Sequence, residues 1–498
     1  LAEEGGPLAD FLLSVMVLSP FLGHQIERQA AMLESLFDVP LMTQLRAIID
    51  RTEARRHGDG IAESEGALMT DLRREKAALH LLIALGDLSG TLPVMQATDW
   101  LSRFAEVSLG ASLAFLLRDA HNTAKLALSD PDEPEAGSGW IVLSMGKLGA
   151  HELNYSSDID LIVLFDPDPP GLTWPDRYMI GETLNRMTRR LLRIMQERTG
   201  DGYVFRSDLR LRPDPGATPL AIGVEAALVY YEARGQNWER AAMIKARPIA
   251  GDLGAGEEFI EFLRPFVWRK FLDFAAISDI QAIKSQIHAH KGFGSISLDG
   301  HNIKIGRGGI REIEFFCQTQ QLIEGGRNPK LRSSSTLLTL KDLEEAGKTT
   351  AQVRQDLTEA YFFLRTLEHR LQMIHDEQTQ LLPDDADDLN RLGIFMGYDD
   401  ADVFRGHLQS TLETVQAHYD DLFRFEEQDE QPSRRLVFTG SDDDPETLTS
   451  LKNLGYEVTS RISQIIREWH HGRYRATRTV RAQQLLTTLM PTLLEDLA

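Results

Sequence analysis

The spacing of apolar positions changes character along this chain of 498 residues. From Leu1 to about Asp130 it is helical. Leu79, Leu81, Leu82 and Leu85 recur at helical spacing, as do Leu101, Phe104, Val107, Leu109 and Leu113. The stretch 130–139, rich in Pro, Gly and acids, cannot sustain helix or strand and reads as a boundary. Two continuous apolar runs follow, Trp140 to Met145 and Leu161 to Phe165, which read as buried strands of one sheet. After a proline-rich loop over 167–175, Ile180, Leu184, Met187, Leu191 and Ile194 line one face of a helix expected over 178–198. Tyr203 to Leu211 alternates with period two and predicts a third strand.

Further on, helical patterns return at 224–232, 258–290 and 337–380. A run holding Gly306, Gly308 and Gly309 leads into a helix that carries Arg311, Glu312 and Glu314. Backbone amides at such a helix start can hold an anion. An acidic, proline-broken linker covers 426–445, and two or three helices follow it, with the basic patch 469–478 between them. His24, His57 and His80 read as surface or structural residues. Cys317 reads as core filler, and His375, Asp376 and Glu377 diverge too far around a helix to share one ion. A hydrogen-bonding role toward a partner surface suits that cluster better.

The chemistry concentrates between the two apolar runs. Asp158 and Asp160 alternate with Ile159, so a strand points both carboxylates to one side. Adjacent carboxylates repel unless a cation lies between them, and Mg²⁺ with oxygen ligands suits them. Gly146 leaves room for a phosphate, which Lys147 could neutralise. Asp208, on the next expected strand, is a candidate third carboxylate. Arg210 and Arg212 beside it could meet phosphate oxygens. Lys245 and Arg247 close a helical segment, where cations complement the helix dipole.

The formal net charge of −22 argues against nucleic acid and anionic membranes as general partners. No uninterrupted apolar run reaches the roughly 20 residues that span a bilayer. The single cysteine, Cys317, rules out an internal disulfide and suits a reducing compartment. The start at Leu1 shows no leader pattern, and together with the apolar end it suggests a fragment.

Several motifs in combination carry a resemblance. They are Gly146-Lys147-Leu148-Gly149, Glu152-Leu153-Asn154, Ser156-Ser157-Asp158-Ile159-Asp160, Asp208-Leu209-Arg210-Leu211-Arg212-Pro213, Trp238-Glu239-Arg240 and Lys245-Ala246-Arg247. Together they resemble the bifunctional glutamine synthetase adenylyltransferase/adenylyl-removing enzymes. Gly308 to Phe315 and Asp376 to Gln380 are similar to the N-terminal, adenylyl-removing half of that family. Ala150-His151 and Arg307 depart from the usual pattern without touching the carboxylates. The resemblance implies an α+β, mostly α fold, with a mixed-sheet nucleotidyltransferase domain inserted between helical regions. The expected segments are a helical region (1–136), the catalytic domain (137–257), a helical bundle (258–430), a linker (431–445) and the start of a further helical region (446–498).

The implied activity is phosphorolysis of adenylyl-tyrosine on glutamine synthetase in a bacterial cytoplasm, with phosphate as substrate, ADP as product and one or two Mg²⁺. Adenylylation with ATP and a non-catalytic docking module are the alternatives. Asp158, Asp160 and Asp208 would be catalytic and metal-binding. Gly146, Lys147, Ser157, Arg210, Arg212, Lys245 and Arg311 would bind phosphate or nucleotide. The implied partners are glutamine synthetase, the PII signal protein and a missing C-terminal adenylyltransferase half.

Overall fold

The computed structural model describes residues 6–36, 38–269, 296–427 and 445–470, with residues 490, 493, 494 and 497. One compact unit comprises Leu1–Trp268 and Ser295–Gln416, and a second comprises Arg269–Gly294 and Ala417–Ala498. The first unit therefore draws on all three of the segments 1–136, 137–257 and 258–430.

The sheet of the first unit grows from the two apolar runs. Strand β2 (Trp140–Ser144) pairs antiparallel with β3 (Asp158–Phe165), Trp140 facing Phe165 and Ser144 facing Leu161. A two-residue strand, β1 (Ala127–Leu128), lies earlier in the chain. It forms a separate ribbon with β4 (Leu172–Thr173), which the sequence pattern did not show. Every residue of β2 is buried, and so are Ile159 and Leu161 to Leu164 of β3. Burial on both faces explains why these strands read as continuous apolar runs. Each such side chain contributes about 1.5–3 kcal/mol when withdrawn from water. On the far edge of β3, the short strands β5 (Arg206–Asp208) and β6 (Ala221–Gly223) pair with it in parallel, one after the other. Strand β7 (Arg247–Gly251) closes the other edge, antiparallel to β2.

Helices α1 to α6 (Pro7–Leu18, Pro20–Arg28, Ala30–Ser35, Leu41–Glu53, Glu65–Leu88, Val94–Asn122) precede the sheet. Trp140, Val142, Ile159, Leu161 and Val163 share one core with Leu101, Phe104, Leu109 and Leu113 of α6. By length and composition α6 could cross a membrane, but 78% of its apolar window is buried inside the protein, as in a core helix. The one-turn helix α7 (Gly146–Gly149) follows β2. The expected apolar face of α8 (Ile180–Gln196) is buried in full. Two of its arginines, Arg190 and Arg193, pair with Glu65.

Helices α9 (Val224–Ala233), α10 (Asn237–Met243) and α11 (Leu253–Val267) come next, and α11 packs on β2 and β7. The expected helix over 258–290 is described only as far as α11. The unit continues with α12 (Ile310–Glu324), α13 (Thr336–Glu345), α14 (Ala351–His375) and α15 (Ala386–Phe395), and α16 (Ala401–Glu427) starts in it. The single helix expected over 337–380 is thus two, broken where Gly347 adopts φ 67°. In the second unit, Pro445–Asn453 and Thr459–His470 are helical, and Leu451, Ile466, Met490 and Leu494 form a small core. Most of the expected linker and of the basic patch at 469–478 lies outside the described residues.

Two readings of single residues hold. His80 is buried between the rings of Tyr155 and Phe205, and burial pushes its pKa well below the usual histidine value. Cys317 is buried, and burial pushes its thiol up.

Candidate active site

Pairing of β5 with β3 sets the site. The parallel register places Arg206 beside Asp158 and Asp208 beside Asp160. Side-chain alternation then turns Asp158, Asp160 and Asp208 to one face. One oxygen from each carboxylate lies within 4.8 Å of the other two. The strand expected over 203–211 is only three residues long because the chain is diverted at both ends. Val204 and Phe205 give their amides to the Met195 carbonyl at the end of α8. The Arg210 amide turns back onto Asp208 Oδ1 at 2.8 Å.

The charge at the site is largely uncompensated. Burial raises the Asp160 pKa to about 6, and the neighbouring Asp158 and Asp208 add to the shift. Asp208 moves the other way. Its partial burial is outweighed by Arg210, whose Nη2 lies 2.5 Å from Asp208 Oδ2. Gly146 closes in from the end of β2 with φ 53°, and a Cβ there would stand 3.1 Å from Asp160 Oδ2. Any side chain would crowd the carboxylate as well as strain the backbone.

Several expected phosphate ligands are engaged by partners within the chain. Lys147 Nζ lies 2.9 Å from both oxygens of buried Glu368 on α14. Lys245 is buried with all three of its ammonium protons engaged, by Glu152 at 3.0 Å, Glu314 at 3.2 Å and Thr336 at 3.3 Å. Arg212 braces its own loop through the carbonyls of Leu209, Pro215, Thr218 and Pro219. Arg311 is half exposed beside Glu314, at 3.7 Å. Ser157 stands half-buried directly ahead of β3.

Nor is the glycine-rich loop an anion cradle. The amides of Ile310, Arg311 and Glu312 reach the carbonyls of Ile303, Lys304 and Gly309, and the Gly308 amide binds Glu312 Oε2. Gly308 serves close packing instead, since a Cβ there would meet the Leu412 carbonyl oxygen at 2.0 Å.

Two residues were missed from the sequence. Gln378 Nε2 donates to Asp158 Oδ1 at 2.6 Å. Of the same run, Asp376 accepts from the Tyr203 hydroxyl at 3.0 Å. The available signal was the Asp376–Gln380 motif itself. Lys304 is the second. Its charge acts on Asp160 and on Glu368. Nothing in a lone lysine 144 positions beyond Asp160 marks it out in sequence.

Residues 9–262 match the family model described as glutamate-ammonia ligase adenylyltransferase, and residues 280–423 match that described as GlnD PII-uridylyltransferase. The bifunctional glutamine synthetase adenylyltransferase/adenylyl-removing enzyme of Rhizobium meliloti is 53% identical over 496 residues, covering 99% of this chain and 50% of its own. Its namesake from Agrobacterium fabrum is 51% identical over 495 residues, with the same coverage of each. The chain spans about half the length of the curated relatives it matches. With a nucleotidyltransferase-like sheet, a three-carboxylate end and a family match across both, the chain belongs to the glutamate-ammonia ligase adenylyltransferase family.

Proposed function

We propose that this chain removes AMP from adenylyl-tyrosine on glutamine synthetase by phosphorolysis. The observation that carries the reading is the meeting of Asp158, Asp160 and Asp208 within 4.8 Å. The donor set fits Mg²⁺, being all oxygen, with burial first and then the neighbouring Asp158 and Asp208 disfavouring the bare Asp160 charge. Bound there, the ion would polarise a phosphoryl oxygen and stabilise a departing phenolate.

In the reaction an oxygen of inorganic phosphate attacks the α-phosphorus. The bond from phosphorus to the tyrosine oxygen breaks, the tyrosinate leaves, and ADP is the product. A phenolate with a pKa of about 10 leaves without a strong general acid. Asp158, Asp160 and Asp208 would hold the ion. Gly146 admits the phosphate beside Asp160, and Arg210 and Lys304 supply positive charge near the acids. The choice of this direction over adenylylation rests on the Gly308–Phe315 and Asp376–Gln380 motifs, since both directions use the same carboxylates.

The test is incubation with adenylylated glutamine synthetase, Mg²⁺ and labelled phosphate. Labelled ADP that disappears in Asp158→Asn supports the proposal. Transfer of AMP from ATP to unmodified glutamine synthetase, without labelled ADP, overturns it in favour of the opposite direction.

A further inference from the structure

We propose that Gln378 is a positioning residue that sets the orientation of the Asp158 carboxylate for cation binding. The inference rests on reading the three carboxylates as a divalent-cation site.

The geometry behind it is a strap. Helix α14 ends at Asp376, which takes the left-handed conformation at φ 53° and turns the chain back toward the sheet. Three side chains of this region then reach the acid end of the sheet. Gln372 Oε1 accepts from the Ser156 amide at 2.8 Å, two residues before Asp158. Asp376 accepts from the Tyr203 hydroxyl, and Gln378 donates to Asp158. Beyond Gln378 the strap is held on its other side. The Ile303 amide donates to the Gln380 carbonyl at 2.9 Å, and the Leu382 amide donates to the His301 carbonyl at 2.8 Å. Gln378 thus lies between two anchored points, and its amide group is aimed by backbone on both sides.

The chemistry fits a positioning role. An ionised carboxylate only accepts hydrogen bonds, so the amide nitrogen must face it. With Oδ1 held, the Asp158 carboxylate cannot rotate freely, and its other oxygen is left for a cation. Partners behind a ligand commonly change metal affinity by about 10–100-fold. A purely structural brace would show differently. Gln378 is exposed, and an exposed hydrogen bond adds little to stability because water replaces it.

The test is Mn²⁺ binding to the whole chain, followed by the spin-resonance signal of the free ion, beside thermal melting of the same samples. In Gln378→Ala and Gln378→Asn, affinity is expected to fall about tenfold or more with the melting temperature unchanged. Asp160→Asn should abolish the site. If the wild type binds and both Gln378 variants bind equally well, the positioning role is overturned while the cation site stands. If affinity and melting temperature fall together, Gln378 is a brace and the proposal is overturned. If the wild type binds no Mn²⁺, or Asp160→Asn binds as the wild type does, the cation reading itself fails.

Discussion

Two clusters of charge in this protein use the same kinds of residue to opposite ends. At the sheet end, Asp158, Asp160 and Asp208 crowd together with Arg210 as their one ion-paired cation among the described residues, and Arg210 is itself exposed. In the interior, Glu152, Glu314 and Glu368 are matched by Lys245, Lys147 and Arg365. Burial alone would raise Glu368, yet Lys147 and Arg365 hold it down at about 2. Glu314 is likewise held low, by Lys245 against its burial. Burial raises Asp160 instead, and its acidic neighbours reinforce the shift. The interior cluster ties Lys147 of α7, Glu152 beyond it and Lys245 after α10 to Glu314, Thr336, Arg365 and Glu368 of helices α12 to α14. The sheet-end cluster sets three carboxylates against the paired Arg210 among the described residues. Charge left incomplete where a sheet ends marks a site, and charge completed in the interior marks a joint.

The sharpest way to break the comparison is to neutralise one member of each cluster. If the proposed function holds, Asp160→Asn is expected to lower phosphorolysis by at least ~10³-fold, because it would remove one of the three carboxylates proposed to hold the cation. Its melting temperature should stay level or rise, since a repulsive charge is gone. Wild-type turnover, or a loss of fold, would sink the reading. Lys245→Met should do the reverse to stability. It leaves Glu152 and Glu314 buried with their shared partner removed, which costs about 3–5 kcal/mol. Urea unfolding would check this, and a midpoint equal to wild type would show that the joint carries no weight.

Much of this division could be read in the sequence, but not all. Strands β2 and β3 were legible because burial on both faces leaves an unbroken apolar run. Asp158 and Asp160 were legible because strand alternation is local. Asp208 needed only one more strand. The lysines were not legible in the same way. Lys147 sits beside Gly146 in sequence and looks like a phosphate ligand, yet its partner is Glu368, which is 221 positions away. Lys245 is similarly claimed by Glu152 and Glu314. A long side chain goes to whichever partner folding brings, and only the tertiary structure names that partner. The glycine-rich loop misled for a related reason. Its amides are spent on the carbonyls of Ile303, Lys304 and Gly309, a pairing that only the folded loop displays.

Acidification sharpens the comparison with a smaller effect, because the two clusters have opposite signs. The folded state favours charged Glu368. Its stabilising contribution is complete above the ordinary value of 4.5 and is lost as pH falls toward about 2. The folded state favours protonated Asp160. Its destabilising contribution is complete above about 6 and disappears as pH falls toward 3.8. In the presence of a chelator, wild type minus Asp160→Asn should therefore show a melting difference that shrinks between pH 6 and pH 4. Glu368→Gln should lose most of its deficit relative to wild type only below pH 4.5. A difference for Asp160→Asn that is constant with pH would contradict the crowding of the three acids.

The smallest effect concerns Lys304, which belongs to neither cluster and separates them. Lys147 and Lys245 are buried and ion-paired, so neither can neutralise a substrate phosphate without abandoning a buried carboxylate. Lys304 is half-buried and makes no ion pair among the described residues, and its charge is felt by Asp160. It is held near the site by its own backbone, since the Ile303 amide is bonded to the strap and the Lys304 carbonyl accepts from Arg311. A partly screened charge contact of up to ~1 kcal/mol corresponds to about a fivefold change in binding. Lys304→Ala should therefore raise KM for phosphate about two- to fivefold, with kcat changed less and melting unchanged, and Lys304→Arg should recover most of the loss. An unchanged KM for phosphate in Lys304→Ala would leave the task of meeting the anion to Arg210 and the proposed cation.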